Sequence, residues 1–188
     1  MITNKDRSGY IGASDTGYVM RRWDTKTFEK WWREKQGFSR NDICTDAMKA
    51  GTAWEHKILY ALNIPDMEKD KQIIKGRLRV NLDGNTPFEI YEVKTHAADK
   101  PFKVSADYRR QVNVEMYQTE IYKARIVAYA LLPEDYINYF REVDPERLSF
   151  HPIEYDESFI AQYVPRKDYL CMCLETGRFP KECEVVYG

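Results

Sequence analysis

The residues best equipped for chemistry lie in the run Leu82-Asp83-Gly84-Asn85-Thr86-Pro87-Phe88-Glu89-Ile90-Tyr91-Glu92-Val93-Lys94. An aspartate closes one strand-like segment, a Gly/Asn/Pro turn follows, and a second strand-like segment carries Glu92 and Lys94. Side chains alternate across a strand, so Glu92 and Lys94 project to one face. Two carboxylates and an ammonium on one patch of sheet can hold a divalent cation and a water nucleophile. The chemistry this permits is metal-dependent hydrolysis of a phosphodiester.

The competing reading is a solvated cross-strand ion pair of little consequence for stability. Acid-x-Lys triplets also occur at Asp24-Thr25-Lys26 and Glu55-His56-Lys57, as a chain that is 31% charged would produce by accident. The triplet at Glu92 differs from its siblings in context, because only it sits in a strand pattern and follows an Asp-Gly. Its geometry carries a condition. A hairpin closed tightly at Asn85-Thr86 would leave Asp83 about 13 Å along the strand from Glu92, at roughly 3.3 Å per residue. The two carboxylates meet only if the hairpin is offset, bent or bulged near Asp83, and Pro87 is a reason to expect an irregularity there.

The elements that must position these groups follow from periodicity and stop signals. Ser14-Asp15 reads as the N-cap of a short helix to about residue 22, residues 25–36 as a helix closed by Gly37, and 46–62 as a third helix stopped by Asn63 and Pro65. Residues 72–83 alternate as one strand, with 88–96 as its partner. Residues 105–122 read as a crossover helix, 125–132 as a dense apolar strand, 136–143 as a further strand and 156–177 as a closing helix. The expected fold is a single α/β domain over residues 1–188, a central mixed sheet flanked by helices.

Other candidate site residues lie on the helices. Glu55 shares a helix face with Met48, Gly51, Ile58 and Leu62, a carboxylate in an apolar stripe that is costly to bury unless paired, protonated or on a metal. Gly51, one turn earlier, permits close approach. Gln111 in the crossover helix could bind a phosphate or orient the lysine. Arg109 and Arg110, with Lys100 and Lys103 upstream, form a basic cluster where a backbone-tracking groove needs charge. Arg7 and the Ser14 cap form a possible anion site, since a helix N-terminus offers free N–H groups and an arginine closes bidentately on phosphate.

Composition sets bounds. Lys and Arg total 29 against 30 Asp and Glu, a net charge of -1, so a non-specific nucleic-acid coat is excluded and any basic groove is local. No apolar run approaches a membrane span and no signal-peptide core is visible, so a cytoplasmic location is expected. Cys44, Cys171, Cys173 and Cys183 read as small buried hydrophobes. The nine residues between Cys173 and Cys183 do not fit the spacing of an iron–sulfur staple, so no cluster is expected.

Taken in order, Arg7 with Ile11-Gly12-Ala13-Ser14, Met48-x-x-Gly51-x-x-x-Glu55, Asp83-Gly84, Glu92-Val93-Lys94 and Gln111-Val112 followed by Met116-Tyr117 resemble the PD-(D/E)xK nuclease superfamily. Within it they are most similar to the phage lambda-type exonucleases of viral recombination. The resemblance implies that Asp83, Glu92 and the Val93 carbonyl hold Mg²⁺, with Mn²⁺ as a substitute, while Glu55 supports the metal or its water ligands. It implies that Lys94 orients and helps deprotonate the attacking water, and that Arg7 and Ser14 bind a terminal 5′-phosphate. The implied activity is 5′→3′ degradation of linear double-stranded DNA, in a homotrimer acting with a phage single-strand annealing protein; the alternatives are a nuclease of other polarity or an endonuclease, and a non-catalytic DNA-end-binding module. One departure is Glu115, where helicase-linked relatives favour tyrosine after Gln-x-x-x.

Overall fold

A computed structural model describes residues 8–39 and 43–187. Eleven regular elements run β1 (Ile11–Gly12), α1 (Thr16–Met20), α2 (Lys26–Lys35), α3 (Asp46–Ala61), β2 (Glu68–Lys75), β3 (Leu78–Asn85), β4 (Ile90–Ala97), α4 (Ala106–Thr119), β5 (Ala124–Leu131), β6 (Leu148–Ile153) and α5 (Glu157–Thr176). One sheet takes the strands in the order β1-β3-β4-β5-β6, and β2 pairs with β3 off that path. The β4–β5 pair is parallel, joined by the crossover helix α4, while β2–β3, β3–β4 and β5–β6 are antiparallel. The expected α/β fold with a mixed sheet is the one observed.

Two apolar cores flank the sheet. One gathers Trp31 and Trp32 of α2, Val112 and Met116 of α4, Tyr163 and Leu170 of α5, and Val80, Leu82 and Ile126 from the strands. The other packs Trp54, Ile58 and Leu59 of α3 against Tyr91, Val93, Val127 and Tyr129. Successive residues of β4 and β5 thus serve opposite layers, as the two-residue strand period requires. The helix starts obey capping chemistry. Thr25, Thr45, Ser105 and Asp156 each accept a backbone N–H of the first turn. Gly177 ends α5 in the left-handed conformation at φ 66°.

Four sequence expectations are corrected. Residues 72–83 are not one strand: the chain reverses at Gly76, whose φ of 58° suits a tight turn, and splits the run between β2 and β3. Residues 136–143 form no strand. The segment opens with a single 3-10 turn (Pro133–Tyr136), and Ile137 and Phe140 point outward at 85% and 95% exposure. The strand on that side of β5 is β6 instead. Ser14 caps no helix. It lies exposed in a 3-10 turn (Ala13–Asp15), and α1 is a five-residue helix whose N-cap, Asp15, makes no side-chain capping bond. On α3, Met48 is 54% exposed and the buried stripe is Ala50, Trp54, Ile58 and Leu59, which puts Glu55 at its edge.

Candidate active site

The site lies where the sheet forks. β2 occupies one edge of β3 along its whole length, so β1 and β4 must share the other. β1 pairs at Leu78 and Arg79, β4 at Gly84 and Asn85, and among the described residues the part of β3 between them has no strand neighbour on that edge. The β3–β4 register pairs Gly84 with Tyr91 and Asn85 with Ile90, so the loop spans residues 86–89 rather than closing tightly at Asn85-Thr86. The Thr86 N–H donates to the Glu89 carbonyl at 2.9 Å, and the Thr86 hydroxyl accepts the Glu89 N–H at 3.1 Å. Glu89 is anchored in turn by the Arg125 guanidinium at 2.5 Å and the Tyr91 hydroxyl at 2.9 Å.

That wider loop brings Asp83 opposite Glu92 and removes the 13 Å separation of a tight hairpin. The strands part at this point because a side chain intervenes: Asp83 Oδ2 accepts the Val93 N–H at 2.8 Å. The β2–β3 ladder is also interrupted here. Paired residues resume on either side of Asp70 and Asp83, and Asp70 has a φ of 57°. The irregularity expected near Asp83 is therefore an offset loop with a break in the ladder. Gly84 follows for a steric reason, since a Cβ there would lie 2.9 Å from Leu59 Cδ2 and 3.1 Å from Met67 Sδ.

Glu92 is buried at 2% exposure and binds the Lys94 ammonium at 2.6 Å through Oε1. Gln111 on α4 bridges the cluster. Its Nε2 donates to Glu92 Oε1 at 2.6 Å and to Glu115 Oε1 at 2.9 Å, and its Oε1 accepts from Lys94 at 3.4 Å. Lys94 also lies 4.9 Å from the Tyr108 ring centroid. Glu55 approaches from α3 on the other layer. Gly51, one turn earlier, is not needed for this approach: a Cβ there would make only an ordinary contact, 3.5 Å from Thr95 Oγ1 of β4.

The ionisation of these groups reflects their crowding. Burial, then the charges of Glu92 and Glu55, push the Asp83 carboxyl well above the ordinary aspartate value. Burial and Glu92 raise Glu55 in the same direction. Burial works against the Lys94 ammonium, but Glu92, Asp83 and Glu115 outweigh it and hold the lysine protonated. Glu115, fully buried, is raised well above the glutamate range by burial and then by Glu92. Its place in the cluster was missed from the sequence, where the available signal was its i,i+4 spacing from Gln111.

The other candidates distribute as follows. Glu55, His56 and Asp70 bring ligand atoms within 4.8 Å of one another, the tightest such group among the described residues, and His56 Nε2 lies 2.9 Å from Asp70 Oδ2. Asp83 and Glu92 stand outside that tight group; Glu92 raises Glu55 through its charge, and Glu55 raises Asp83 in the same way. Arg110 pairs with Asp107 at 3.6 Å, Asp107 also binds Arg21 at 2.9 Å, and Arg109 is exposed at the start of α4. Ser14 is not linked to the cluster by any hydrogen bond among the described residues, and Arg7 lies outside those residues. The four cysteines are free thiols, but the expectation that all are buried is corrected: Cys173 is buried and Cys171 half-buried, its thiol lifted by burial to about 11, while Cys44 and Cys183 are exposed. Among the described residues no helix is long and apolar enough to cross a membrane.

The fold, a mixed sheet flanked by helices, is one shared with solved exonuclease structures. Among solved structures the chain resembles an alkaline exonuclease, LHK-Exo, from Laribacter hongkongensis, with a TM-score of 0.68 at 19% identity over 91% of this chain and 90% of that one. The same enzyme in complex with dAMP matches at a TM-score of 0.66 and 19% identity, with the same coverage of each chain. A phage-related exonuclease from Haemophilus somnus 129PT matches at 0.62 and 13% identity over 89% of this chain and 94% of that one. No protein-family model and no curated protein matches the sequence.

Proposed function

We propose that the chain is a Mg²⁺-dependent deoxyribonuclease that degrades linear duplex DNA 5′→3′ from a 5′-phosphorylated end. The observation that carries this reading is the Asp83 carboxylate wedged into the strand fork, its ionisation opposed by Glu92 and Glu55. Like charges gathered away from water call for a cation. Glu92 supports the same conclusion, because its Oε2 is buried without a hydrogen-bond partner among the described residues. The donor set is all oxygen, the chemistry of Mg²⁺ or Mn²⁺.

Asp83, Glu92 and the Val93 carbonyl would hold the ion, with Glu55 supporting it or its water ligands. When bound, the ion supplies Lewis acidity and lowers the pKa of a coordinated water. The chain's own residues do the rest. Lys94, kept as an ammonium by its acidic neighbours, donates a hydrogen bond that orients the attacking water and offsets charge developing on the phosphate. Gln111 fixes Glu92 and Lys94 relative to each other, so neither must reorganise during the reaction. Arg109 and Arg110 would track the DNA backbone, and Arg7 and Ser14 would receive the terminal phosphate.

The neighbours support exonuclease action, since each is named as an exonuclease and one holds dAMP, a mononucleotide. By the same resemblance the enzyme would serve phage or prophage recombination in the host cytoplasm, as a homotrimer working with a single-strand annealing protein. Light scattering and co-elution test those last two points. The central test is a 5′-phosphorylated linear duplex labelled at either end and incubated with Mg²⁺. Mononucleotides released from the 5′ end are expected, with none from Lys94→Ala. Cleavage of closed circular DNA would overturn end dependence, and full activity of Lys94→Ala would overturn the mechanism.

A further inference from the structure

The face of the sheet that carries Glu92 and Lys94 continues past them. His96 is the next residue of β4 on that face, about 6.6 Å beyond Lys94. The register sets Ala130 of β5 beside His96, Ser149 of β6 beside Ala128, and His151 beside Ile126. His96, Ala130, Ser149 and His151 line an open cleft of about 500 Å³, together with Phe102 from the loop between β4 and α4. An aromatic series links the lining of the cleft to Lys94. Lys94 lies over Tyr108, Tyr108 stacks on Phe102 with 8° between planes, and Phe102 contacts His96 and His151 at 5.4 and 5.0 Å between centroids.

The cleft is ordered by its own bonds. His96 Nδ1 lies 3.0 Å from the Ala97 carbonyl and 2.9 Å from the Lys100 carbonyl. Two acceptors require Nδ1 to carry the proton, which tethers the loop bearing Phe102 to β4. His151 Nε2 is paired with the Ser149 hydroxyl at 2.9 Å. The charges at the rim argue against an anion. Arg147 is committed to Asp135 at 2.5 Å and to the Ala130 carbonyl at 3.0 Å, and the Glu146 carboxylate repels phosphate. Away from Glu146 and Arg147 the lining is small or aromatic: Ala98, Ala130 and Ser149 beside His96, Phe102 and His151. A nucleobase suits that lining.

We propose that the cleft bounded by His96, Phe102, Ala130, Ser149 and His151 is a nucleobase subsite that receives the base adjoining the phosphate held at the Asp83–Glu92–Lys94 cluster. The proposal rests on the nuclease reading of that cluster. It adds that the chain grips a base beside the scissile position as well as the DNA backbone. Stacking tolerates every base because each has a π face, so the subsite contributes positioning without strong sequence preference.

The test uses duplexes in which the terminal or the penultimate 5′ nucleotide is abasic. Wild-type protein is expected to lose roughly tenfold in kcat/KM when one of these two positions lacks its base. Phe102→Ala and His151→Ala are expected to slow cleavage of intact DNA by a similar factor and to abolish the difference between intact and abasic substrates. Wild-type protein that ignores base removal at both positions overturns the proposal without needing either variant. Variants that lose equal activity on intact and abasic DNA overturn it as well, since their defect is then structural. A second readout is equilibrium binding of dAMP against deoxyribose 5-phosphate in Ca²⁺. If wild-type protein cleaves nothing, the nuclease reading fails, and the binding comparison still decides the subsite. Tighter binding of dAMP that disappears in Phe102→Ala supports it, and equal binding overturns it.

Discussion

Asp135 and Asp83 are both withdrawn from water, one in the turn that follows β5 and the other at the strand fork, and they respond in opposite directions. Asp135 is fully buried, yet it ionises more readily than an ordinary aspartate. Burial opposes this, but Arg147 at 2.5 Å, Arg141 at 3.0 Å and the Leu132 N–H at 2.8 Å outweigh it. Asp83 is pushed well above the usual range, by burial first and then by the charges of Glu92 and Glu55. Burial raises both acids; the neighbours of Asp135 reverse that effect and those of Asp83 add to it. One acid is complete within the chain and braces a loop, while the other is left short of positive charge where a cation and a phosphate would supply interactions.

Substitutions separate the two most sharply through activity. Asp83→Asn and Lys94→Ala are each expected to lower kcat on linear duplex DNA by about a thousandfold. Asp135→Asn is expected to leave kcat per folded molecule within a few-fold. Stability should invert that order. Asp135→Ala strands Arg147, so chemical denaturation should show a loss of about 3 kcal/mol. Asp83→Asn should raise the melting temperature of the metal-free protein, because it removes one of the crowded carboxylates. A fall in melting temperature would place Asp83 with Asp135 as a structural acid.

The pH dependence gives a finer discrimination. The folded pKa values of Asp83 and Glu115 are raised, so their stabilising contribution is present below the ordinary carboxylate pKa and is lost as pH rises through the raised values. Asp135 is lowered, so its contribution is present above the unfolded value and is lost as pH falls through the folded one. Measured in EDTA, the stability gain of Asp83→Asn over wild type should grow from pH 4 towards neutrality. The deficit of Asp135→Asn should shrink as the solution is acidified. A smaller effect tests the helix that carries Gln111: Ser105→Ala removes the cap of α4 and should cost about 1 kcal/mol in chemical denaturation.

Much of the site could be read before the fold was known, and the parts that could not have physical reasons. Glu92 and Lys94 followed from strand alternation, and Glu55 from an apolar helix face that the fold shifts to Ala50, Trp54, Ile58 and Leu59, leaving Glu55 at its edge. The register that unites Asp83 with Glu92 was legible only as a condition, because it depends on Thr86 and Glu89 closing a loop that Arg125, on another strand, holds in place. β2 was hidden because it is mostly polar on both faces, being paired only with β3. β6 was hidden by Pro152, which an outermost strand tolerates. Residues 136–143 misled because alternation alone does not reveal which apolar side chains stay in water, as Ile137 and Phe140 do. Glu115 looked like a mere departure from tyrosine, since its partners Gln111 and Glu92 meet it only after α4 packs on the sheet.

The most direct test of the central claim is the thermal shift produced by Mg²⁺ at neutral pH in wild-type protein, Asp83→Asn and Asp135→Asn. If the fork is a cation site, Mg²⁺ raises the melting temperature of wild type and of Asp135→Asn, and the shift collapses in Asp83→Asn. An equal shift in all three, or none in wild type at millimolar Mg²⁺, would contradict the account.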